Sequence, residues 1–345
     1  MHALKRFGTA FGGYKMMENY PVPECGPDDI ILEIKAAAIC GADMKHWGVD
    51  NGYDDTNITP DQQQSVRGHE FAGEIVKVGE NVKDWHIGQR VVSDNSAHVC
   101  GVCPACEQGD FLCCEHKVNL GLDNNTWGGG FSKYCKVPGE ILAIHKHAIW
   151  EIPEGIKYEE ACVLDPICNA YKAVAQQSHL IPGQDVVVFG TGPLGLFSVQ
   201  VAKLMGAVNI VMVGLDDDVK VRFGVAKELG ATHCVNGSKE DVVARCTEIC
   251  GRDNLGLVIE CSGANIALKQ AIEMTRPNAE IVRVGMGFKP LEFSINDITA
   301  WNKSIIGHMA YDSTSWRNCI RLLQSGQIKV QPMITHRLGL SQWQE

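Results

Sequence analysis

Residues 185–206 read DVVVFGTGPLGLFSVQVAKLMG, a β-branched run followed by closely spaced glycines and an amphipathic helical stretch. The glycines have G-x-G-x-x-G spacing and predict a strand, turn and helix that bind a dinucleotide. Gly190 allows the tight turn, Gly192 lets a pyrophosphate approach the backbone, and Gly195 allows close helix–strand contact. A glycine-rich turn in an ordinary parallel sheet, with no ligand, is the alternative.

The strand and helix alternation continues towards the C-terminus. Further apolar strands are predicted at NIVMVG (209–214), GLVIECSG (256–263) and EIVRVGMG (280–287), with helical stretches between them. Strand and helix repeated in this way predict an α/β fold with a doubly wound parallel sheet.

The choice of dinucleotide depends on the end of the second strand, where an acidic residue usually holds the adenosine ribose. Here the strand ends in Gly214, and three consecutive aspartates begin at Asp216. Two cations follow, the second of them Arg222, and these would suit a 2′-phosphate. Because the aspartates would repel that phosphate, NAD is favoured and NADP is the alternative. The helix that opens at Pro193 and Leu194 offers its unpaired N–H groups to the pyrophosphate.

The N-terminal half has a different rhythm. Short β-branched runs at 30–39, 71–79, 89–93 and 129–137 are separated by glycine and acidic turns, which predicts a β-rich, barrel-like domain. The polar stretch at 48–66 predicts a surface loop, and we expect this loop to help select the substrate.

Composition excludes several classes of protein. The chain has 345 residues, of which 45% are hydrophobic and 21% charged, and its formal charge is −10. This charge disfavours nucleic-acid binding, and the apolar runs are shorter than the roughly 18 residues that a membrane span requires. The N-terminus shows no secretory signal, so a cytoplasmic location is expected.

Residues 100–114 read CGVCPACEQGDFLCC and contain five of the chain's fifteen cysteines. Disulfides, an iron–sulfur cluster, a zinc ion and a redox pair are all compatible with this composition. A reducing compartment weighs against disulfides, and two short C-x₂-C steps favour tetrahedral zinc.

A second group of metal-binding residue types lies in the same half. Cys40 occurs in AAAICGADMKHW, and His69 and Glu70 occur in RGHEFAGEIVKVG. A catalytic zinc uses three such ligands and leaves one position open for water or substrate.

The chain resembles the zinc-dependent medium-chain dehydrogenase family in its GHE motif, its cysteine lobe, its later G-x-G-x-x-G and the order of its domains. ICGAD, GHEFAG and LDPICNAYKAV are similar to the polyol (sorbitol-type) and threonine dehydrogenases. The resemblance implies a GroES-like catalytic domain at 1–152 with a zinc lobe at about 98–116. A Rossmann domain at 153–298 is expected next, then a segment at 299–345 that returns to the catalytic domain, with the active site in the cleft between the domains.

The resemblance also implies the metal ligands. Cys40 and His69 are expected to ligate the catalytic zinc, with Glu70 as a ligand or close neighbour. Asp165 occupies the third or exchangeable ligand position, where many polyol-type members carry glutamate. The expected ligands of the structural zinc are Cys100, Cys103, Cys106 and Cys114.

The implied activity is hydride transfer between a nicotinamide cofactor and a secondary alcohol of a polyol, sugar acid or hydroxy amino acid. Many relatives use a Ser or Thr and a His as proton relay, whereas this chain has Ala42 and Lys45 at these positions. We therefore expect Lys45, His46 or Glu70 to carry the proton, and Asp43 to orient the zinc-binding histidine.

Other classes remain as alternatives to this enzyme. One is a zinc-free, quinone-reductase-like member of the same fold, and the other is a cofactor-binding regulatory or structural protein with weakened catalysis. Since relatives form dimers or tetramers, a homo-oligomer is expected.

Overall fold

The computed structural model describes residues 1–6, 13–47, 65–123, 126–287 and 289–345. The chain divides into two compact units. The first consists of Met1–Asp165 and Ile334–Glu345, and the second of Pro166–Met333.

The first unit is mainly β-structure. Its strands are β1 Ala3–Arg6, β2 Tyr14–Met17, β3 Ile30–Ala38, β4 Glu70–Val78, β5 Arg90–Ser93, β6 Ser96–His98, β7 Val118–Asn119, β8 Tyr134–Val137 and β9 Ile149–Glu151. Its helices are α1 Gly41–Trp47, α2 Pro104–Glu107, α3 Gly139–Ile144 and α4 Tyr158–Ala161. Five strands form an antiparallel sheet in the order β8-β3-β4-β5-β9, and β1-β2 and β6-β7 form two further pairs.

The pairing of β3 with β4 determines where the polar residues of this unit meet. The two strands are antiparallel, with Ala38 opposite Glu70. The end of β3, which leads into Cys40 and α1, therefore lies beside the start of β4, which follows His69. Ile30 and Phe71 are fully buried in the core beneath the sheet.

The second unit is built around a parallel sheet. Its strands are β10 Asp185–Phe189, β11 Ile210–Gly214, β12 His233–Asn236, β13 Leu255–Glu260, β14 Glu280–Arg283 and β15 Ser304–Gly307. Its helices are α5 Leu164–Tyr171, which begins at the boundary of the units, α6 Pro193–Leu204, α7 Arg222–Leu229, α8 Val242–Cys250, α9 Asn265–Met274, α10 Asn296–Ala300 and α11 Ser313–Gln324. A π-helical segment, Lys172–Gln177, follows α5.

The strand order of this sheet is β12-β11-β10-β13-β14-β15, and every pair is parallel. Counted from β10, this is the order 3-2-1-4-5-6 of the Rossmann fold. β10 and β11 are buried along their whole length, as expected for central strands covered on both faces. The predicted α/β fold with a doubly wound sheet is confirmed.

The compact units differ in their limits from the predicted domains. Ser304–Gly307 forms the sixth strand of the parallel sheet, so the segment that returns to the first unit starts at Ile334 and not at 299. Residues 153–165 belong to the first unit. Composition did not reveal this last strand because it is short and largely exposed.

No helix in the described part of the chain is both long enough and apolar enough to cross a membrane.

Candidate active site

Cys40, His69 and Glu70 converge where β3 ends and β4 begins. One potential ligand atom from each lies within 4.8 Å of the other two. His69 and Glu70 are buried, and Cys40 is partly buried. The structure therefore brings Cys40 together with two metal-binding groups, His69 and Glu70, that lie about 30 positions later in the sequence.

Asp43 lies directly behind this group, in the first turn of α1. Its Oδ2 accepts a hydrogen bond of 3.0 Å from the backbone N–H of Cys40. Its Oδ1 is 3.9 Å from Nδ1 of His69, and within the described part of the chain neither of these buried atoms has a hydrogen-bond partner. A carboxylate facing the second ring nitrogen is the usual means of orienting a metal-binding histidine.

The electrostatics of the group favour a bound cation. Burial raises the pKa of the Cys40 thiol well above its ordinary value, and the carboxylates of Glu70 and Asp43 raise it further. Burial also raises the pKa of Glu70, with contributions from Asp165 and Asp43. A divalent cation would relieve this repulsion between neighbouring anionic groups. Thiolate, imidazole and carboxylate are ligands that zinc accepts, so the donor set fits zinc.

Asp165 is buried close to this group but is not one of the three mutually adjacent donors. Its Oδ2 accepts a hydrogen bond of 3.1 Å from Nδ2 of Asn95. Asn95 is itself buried, has a left-handed backbone with φ of 60°, and receives a 2.7 Å hydrogen bond at its carbonyl from the N–H of Leu120. Asn95 thus holds Asp165 from a well-fixed position.

Of the three predicted proton carriers, Glu70 belongs to the group at the start of β4. The side chains of Lys45 and His46 lie outside the described residues, as does most of the predicted loop, residues 48–64. Ala42 lies in α1, and its backbone N–H donates a 3.5 Å hydrogen bond to Sγ of Cys40.

The cysteine lobe forms a second group of donors. The sulfur atoms of Cys100, Cys103, Cys106 and Cys114 lie within 4.8 Å of one another. The sulfurs of Cys100 and Cys106 are 4.0 Å apart, close to the spacing of about 3.8 Å between thiolates around a tetrahedral zinc. All fifteen cysteines are free thiols, and Cys113, which is exposed, does not belong to the set.

The backbone helps to prepare this lobe for a cation. Hydrogen bonds from the N–H groups of Val102 and Cys103 lower the pKa of Cys100 to about 7, with the Val102 bond contributing most. Burial and then the neighbouring Cys103 raise the pKa of Cys106 to about 12. A set of four sulfurs with one thiol already inclined to ionise fits a Cys₄ zinc site.

The glycine turn between β10 and α6 has the geometry that its spacing predicts. Gly190 has a φ of +94°, and its N–H donates a 2.9 Å hydrogen bond to the carbonyl of Val213. A Cβ on Gly195 would lie 1.8 Å from the carbonyl oxygen of Gly190, so only glycine fits there. A Cβ on Gly192 would meet nothing within 4 Å, so the open space before α6 suits an approaching pyrophosphate.

Gly214 ends β11, at the position where Rossmann folds usually have an acidic residue, and its surroundings leave no room for a side chain. A Cβ on Gly214 would lie 2.6 Å from side-chain atoms of both Phe223 and Thr191. Asp216 is exposed, and its Oδ1 accepts a 2.7 Å hydrogen bond from Asn236 and lies 3.3 Å from Nζ of Lys239.

Arg222 lies at the start of α7, near the same turn. Its Nη1 is 3.4 Å from Oδ1 of Asp218 and donates a 3.5 Å hydrogen bond to Oγ1 of Thr191. Carboxylates and a guanidinium are therefore both present at the end of β11.

Two family models match the chain: the alcohol dehydrogenase GroES-like domain over residues 26–147, and the zinc-binding dehydrogenase over residues 193–325. An uncharacterized zinc-type alcohol dehydrogenase-like protein, YdjL, from Escherichia coli (strain K12) is 78% identical over 345 residues, covering 100% of this chain and 94% of the relative. The chain belongs to the zinc-type alcohol dehydrogenase family.

Other family members are more distant but match over nearly the full length. A sorbitol dehydrogenase from Halalkalibacterium halodurans is 30% identical, covering 99% of this chain and 94% of its own. An L-threonine 3-dehydrogenase from Rhizobium rhizogenes is 32% identical, covering 95% and 90%. The resemblance to the polyol and threonine dehydrogenases is therefore confirmed.

Two solved structures of zinc-type or alcohol dehydrogenases carry a nicotinamide cofactor. An alcohol dehydrogenase (rspB) from E. coli CFT073, complexed with NADH, has a TM-score of 0.84 and 27% identity, covering 100% of this chain and 93% of that one. A zinc-binding dehydrogenase from Sinorhizobium meliloti 1021, bound to NADP, has a TM-score of 0.81 and 27% identity, covering 97% and 91%. The zinc-type family and the Rossmann turn thus agree with the predicted zinc and nicotinamide cofactors.

Sequence reasoning missed the residues that support the site from behind. Arg67 is buried and donates a 2.8 Å hydrogen bond from Nη1 to the carbonyl of Leu122. Burial lowers the pKa of Arg67, while the charges of Tyr14 and Asp43 oppose the shift. Arg67 is the first residue of the RGHE motif, so the motif itself could have drawn attention to it. Asn95 stands in no motif, and nothing in the neighbouring sequence points to its contact with Asp165.

Proposed function

We propose that this chain is a zinc-dependent dehydrogenase that transfers hydride between a secondary alcohol and NAD. The proposed substrates are polyols, sugar acids or hydroxy amino acids, the classes closest to the sorbitol and threonine dehydrogenases that the chain resembles. The observation that carries the proposal is the convergence of Cys40, His69 and Glu70 in a member of the zinc-type family.

In this proposal, Cys40 and His69 hold the catalytic metal, with Glu70 as third ligand or close neighbour. When bound, a zinc ion would supply the Lewis acidity that lowers the pKa of an alcohol hydroxyl, and a nicotinamide cofactor would supply the hydride acceptor. Asp43 keeps the His69 ring in orientation, since its carboxylate faces Nδ1. Asp165 acts as an exchangeable ligand, and the hydrogen bond from Asn95 keeps its carboxylate in position when it is not bound to the metal.

The four cysteines of the lobe have a different proposed role. Cys100, Cys103, Cys106 and Cys114 would occupy all four positions around a zinc ion, which leaves none for a substrate. The lobe would therefore stabilise the fold and take no part in the reaction.

The proton must leave by a route other than a Ser–His relay, because the side chain of Ala42 carries no hydroxyl group. We propose Lys45, His46 or Glu70 as the carrier. A positioned relay contributes roughly 10²–10⁴ in rate, so pH–rate profiles of Lys45→Ala and His46→Ala test the first two. A profile that neither substitution alters would leave Glu70 as the proposed carrier.

On the cofactor, Asp216 supports NAD. Its carboxylate lies at the end of β11, where the adenosine ribose binds in Rossmann folds. Asn236 and, less strongly, Lys239 lower the pKa of Asp216, which favours its ionised form. Arg222 is the feature that would favour NADP.

The proposed function is tested by a screen of the zinc-loaded protein against secondary alcohols with NAD⁺ and with NADP⁺, following absorbance at 340 nm. We expect reduction of NAD⁺ by at least one polyol, sugar acid or hydroxy amino acid. Reduction of neither cofactor by any alcohol of these classes, in a protein with full zinc content, would contradict the proposal. Because all three donor groups of the site are present, no observation favours the non-catalytic alternative. A cytoplasmic location and self-association stay predictions from the sequence.

A further inference from the structure

A buried carboxylate, Glu260, stands at the carboxyl end of β13 in the second unit and has no part in the function proposed above. Its side chain is fully buried. Its Oε1 accepts three hydrogen bonds from the turn that follows: 2.7 Å from the N–H of Ser262, 2.5 Å from the Ser262 hydroxyl and 2.9 Å from the N–H of Gly263. One carboxylate oxygen thus fixes the whole turn.

The other oxygen of Glu260 faces Arg283, the partner residue in the register of β13 and β14. Oε2 has no hydrogen-bond partner among the described residues, and Nε of Arg283 lies 3.8 Å from it. Arg283 in turn donates to the carbonyls of Gly285 and Gly263, at 3.4 Å and 3.5 Å. The pair therefore links the turns that follow two neighbouring strands.

These two turns touch through their backbones. A Cβ on Gly285 would lie 2.1 Å from the nitrogen of Gly263, and a Cβ on Gly263 would lie 2.3 Å from the carbonyl oxygen of Met286. The N–H groups of Val284 and Gly285 both donate to the carbonyl of Glu260 at 2.8 Å. The two turns are therefore in direct contact, and Glu260 bonds one through its side chain and the other through its backbone carbonyl.

The turns also adjoin the dinucleotide turn. A Cβ on Gly190 would lie 3.1 Å from the nitrogen of Ser262. In an open sheet with this strand order, ligands bind outside the carboxyl ends of the strands, one mononucleotide on each half. β10 and β11 serve the AMP half, so the ends of β13 and β14 form the edge that remains for the nicotinamide half.

We propose that Glu260 is a positioning residue for the nicotinamide half of the cofactor, acting through the turn at Ser262–Gly263 and, with Arg283, through the turn at Gly285. Burying a carboxylate completely costs solvation free energy. Here one oxygen of Glu260 is bonded to the turn and the other faces a cation, so the buried group serves to hold the turn in one conformation. The inference rests on the proposed dehydrogenase function and specifies how one half of its cofactor site is kept in shape.

The test compares NADH with AMP, because AMP contacts only the half of the site at β10 and β11. Glu260→Gln keeps an acceptor for Ser262 and Gly263 but turns an amide N–H₂ towards the guanidinium of Arg283. In the full-length, zinc-loaded protein we expect the Kd for NADH, measured by its fluorescence, to rise about tenfold, equivalent to about 1.4 kcal/mol. The Kd for AMP should remain as in the wild type, and KM for the cofactor should rise more than kcat falls.

Arg283→Lys is the second variant, and it keeps the inference falsifiable if Glu260→Gln does not fold. It preserves the charge but loses the forked contacts to the two turns, so we expect the same selective loss of NADH affinity. Glu273→Gln is the matched control, since it breaks an exposed ion pair with Lys269 on α9 in the same unit. This control should bind both nucleotides normally.

Two results would overturn the inference alone: unchanged NADH affinity in both variants, or an equal loss of NADH and AMP affinity, which would indicate general damage to the unit. A wild-type protein that binds neither nucleotide would instead overturn the proposed cofactor site, and the inference with it.

Discussion

At the scale of single residues, Asn95 contacts the carboxylate of Asp165, the proposed exchangeable ligand. A hydrogen bond from Asn95 reaches this carboxylate across 70 positions of sequence. Residues that bond to metal ligands from behind commonly change metal affinity by roughly 10–100-fold when they are replaced. The amide of Asn95 is therefore expected to affect zinc retention without touching the metal.

Asn95→Gly removes the amide and keeps a residue that tolerates the left-handed backbone. We expect zinc to be lost to a chelator at roughly tenfold lower chelator concentration, because Asp165 loses the donor that positions it. Asn278→Gly makes the same change at an exposed residue with φ of 57° in the other unit, and it should leave zinc retention unchanged. Equal retention in the two variants would show that Asn95 does not support the site.

How far this site could be predicted from sequence depends on distance along the chain. Cys40, His69 and Glu70 stand in short motifs, so the sequence alone identified the donor types. The contact between Asn95 and Asp165 exists only because the strands fold together, and no period or motif predicts it. The same is true of the link from Arg67 to Leu122.

At the scale of elements, the turn between β10 and α6 contains two glycines with opposite requirements. Gly195 packs against the backbone of Gly190, whereas Gly192 faces open space. Gly195→Ala should therefore destabilise the second unit and lower its thermal midpoint. Gly192→Ala should fold like the wild type but weaken dinucleotide binding by roughly tenfold, or about 1.4 kcal/mol.

Thermal unfolding and NADH titration of both variants separate the two effects. If Gly192→Ala bound NADH with wild-type affinity, the space before α6 would not be the pyrophosphate site. If Gly195→Ala had an unchanged thermal midpoint, the close contact between Gly195 and Gly190 would not limit the stability of the second unit.

A second prediction at this scale concerns Asp29, which joins three segments of the first unit. Its carboxylate accepts hydrogen bonds of 3.0 Å and 2.9 Å from the N–H groups of Gly26 and Gly139, and 3.1 Å from Nζ of Lys136. Burial acts to raise the pKa of Asp29, but these donors outweigh it, so the pKa is lowered.

A lowered pKa in the folded state stabilises the protein above the unfolded pKa of about 3.9, and this contribution is lost as the pH falls through the folded pKa. Asp29→Asn should therefore cost about 2 kcal/mol of unfolding free energy at pH 7, measured by urea unfolding. The difference from the wild type should shrink as the pH falls below about 4. Asp28→Asn, at the exposed neighbour, is the control and should change little; a pH-independent deficit in Asp29→Asn would contradict the argument.

Elements were predictable in proportion to their burial. β10, β11 and β13 are apolar enough to be recognised from composition, and their glycine turns follow them in the sequence. β15 could not be recognised, since its four residues are mostly exposed and are held by pairing with β14. The predicted return segment therefore began too early.

At the scale of the whole molecule, the residues that the structure describes include two separate groups of metal donors, both in the first unit. If the cysteine lobe holds a structural zinc, the loss of that ion should affect stability more than chemistry, since its ligands fill all four positions. The order of domains was predictable because the GHE motif, the cysteine lobe and the G-x-G-x-x-G turn each lie within one unit.

Cys103→Ser tests whether the cysteine lobe stabilises the fold without taking part in the reaction. We expect a melting temperature lower by roughly 5–10 °C, because folding energy supplied by the metal is lost, and a nearly unchanged KM for the alcohol. Cys113→Ser, at the adjacent exposed thiol that is not part of the set, is the control and should melt like the wild type. A fall in kcat of Cys103→Ser without any change in melting temperature would contradict a structural role.

The central claim is that Cys40 and His69 hold a zinc ion distinct from that of the cysteine lobe. Its most direct test is the zinc content of the purified protein and of Cys40→Ser, measured by mass spectrometry. The account predicts about two zinc ions per chain in the wild type and about one in Cys40→Ser. Equal zinc content in the two proteins would contradict it.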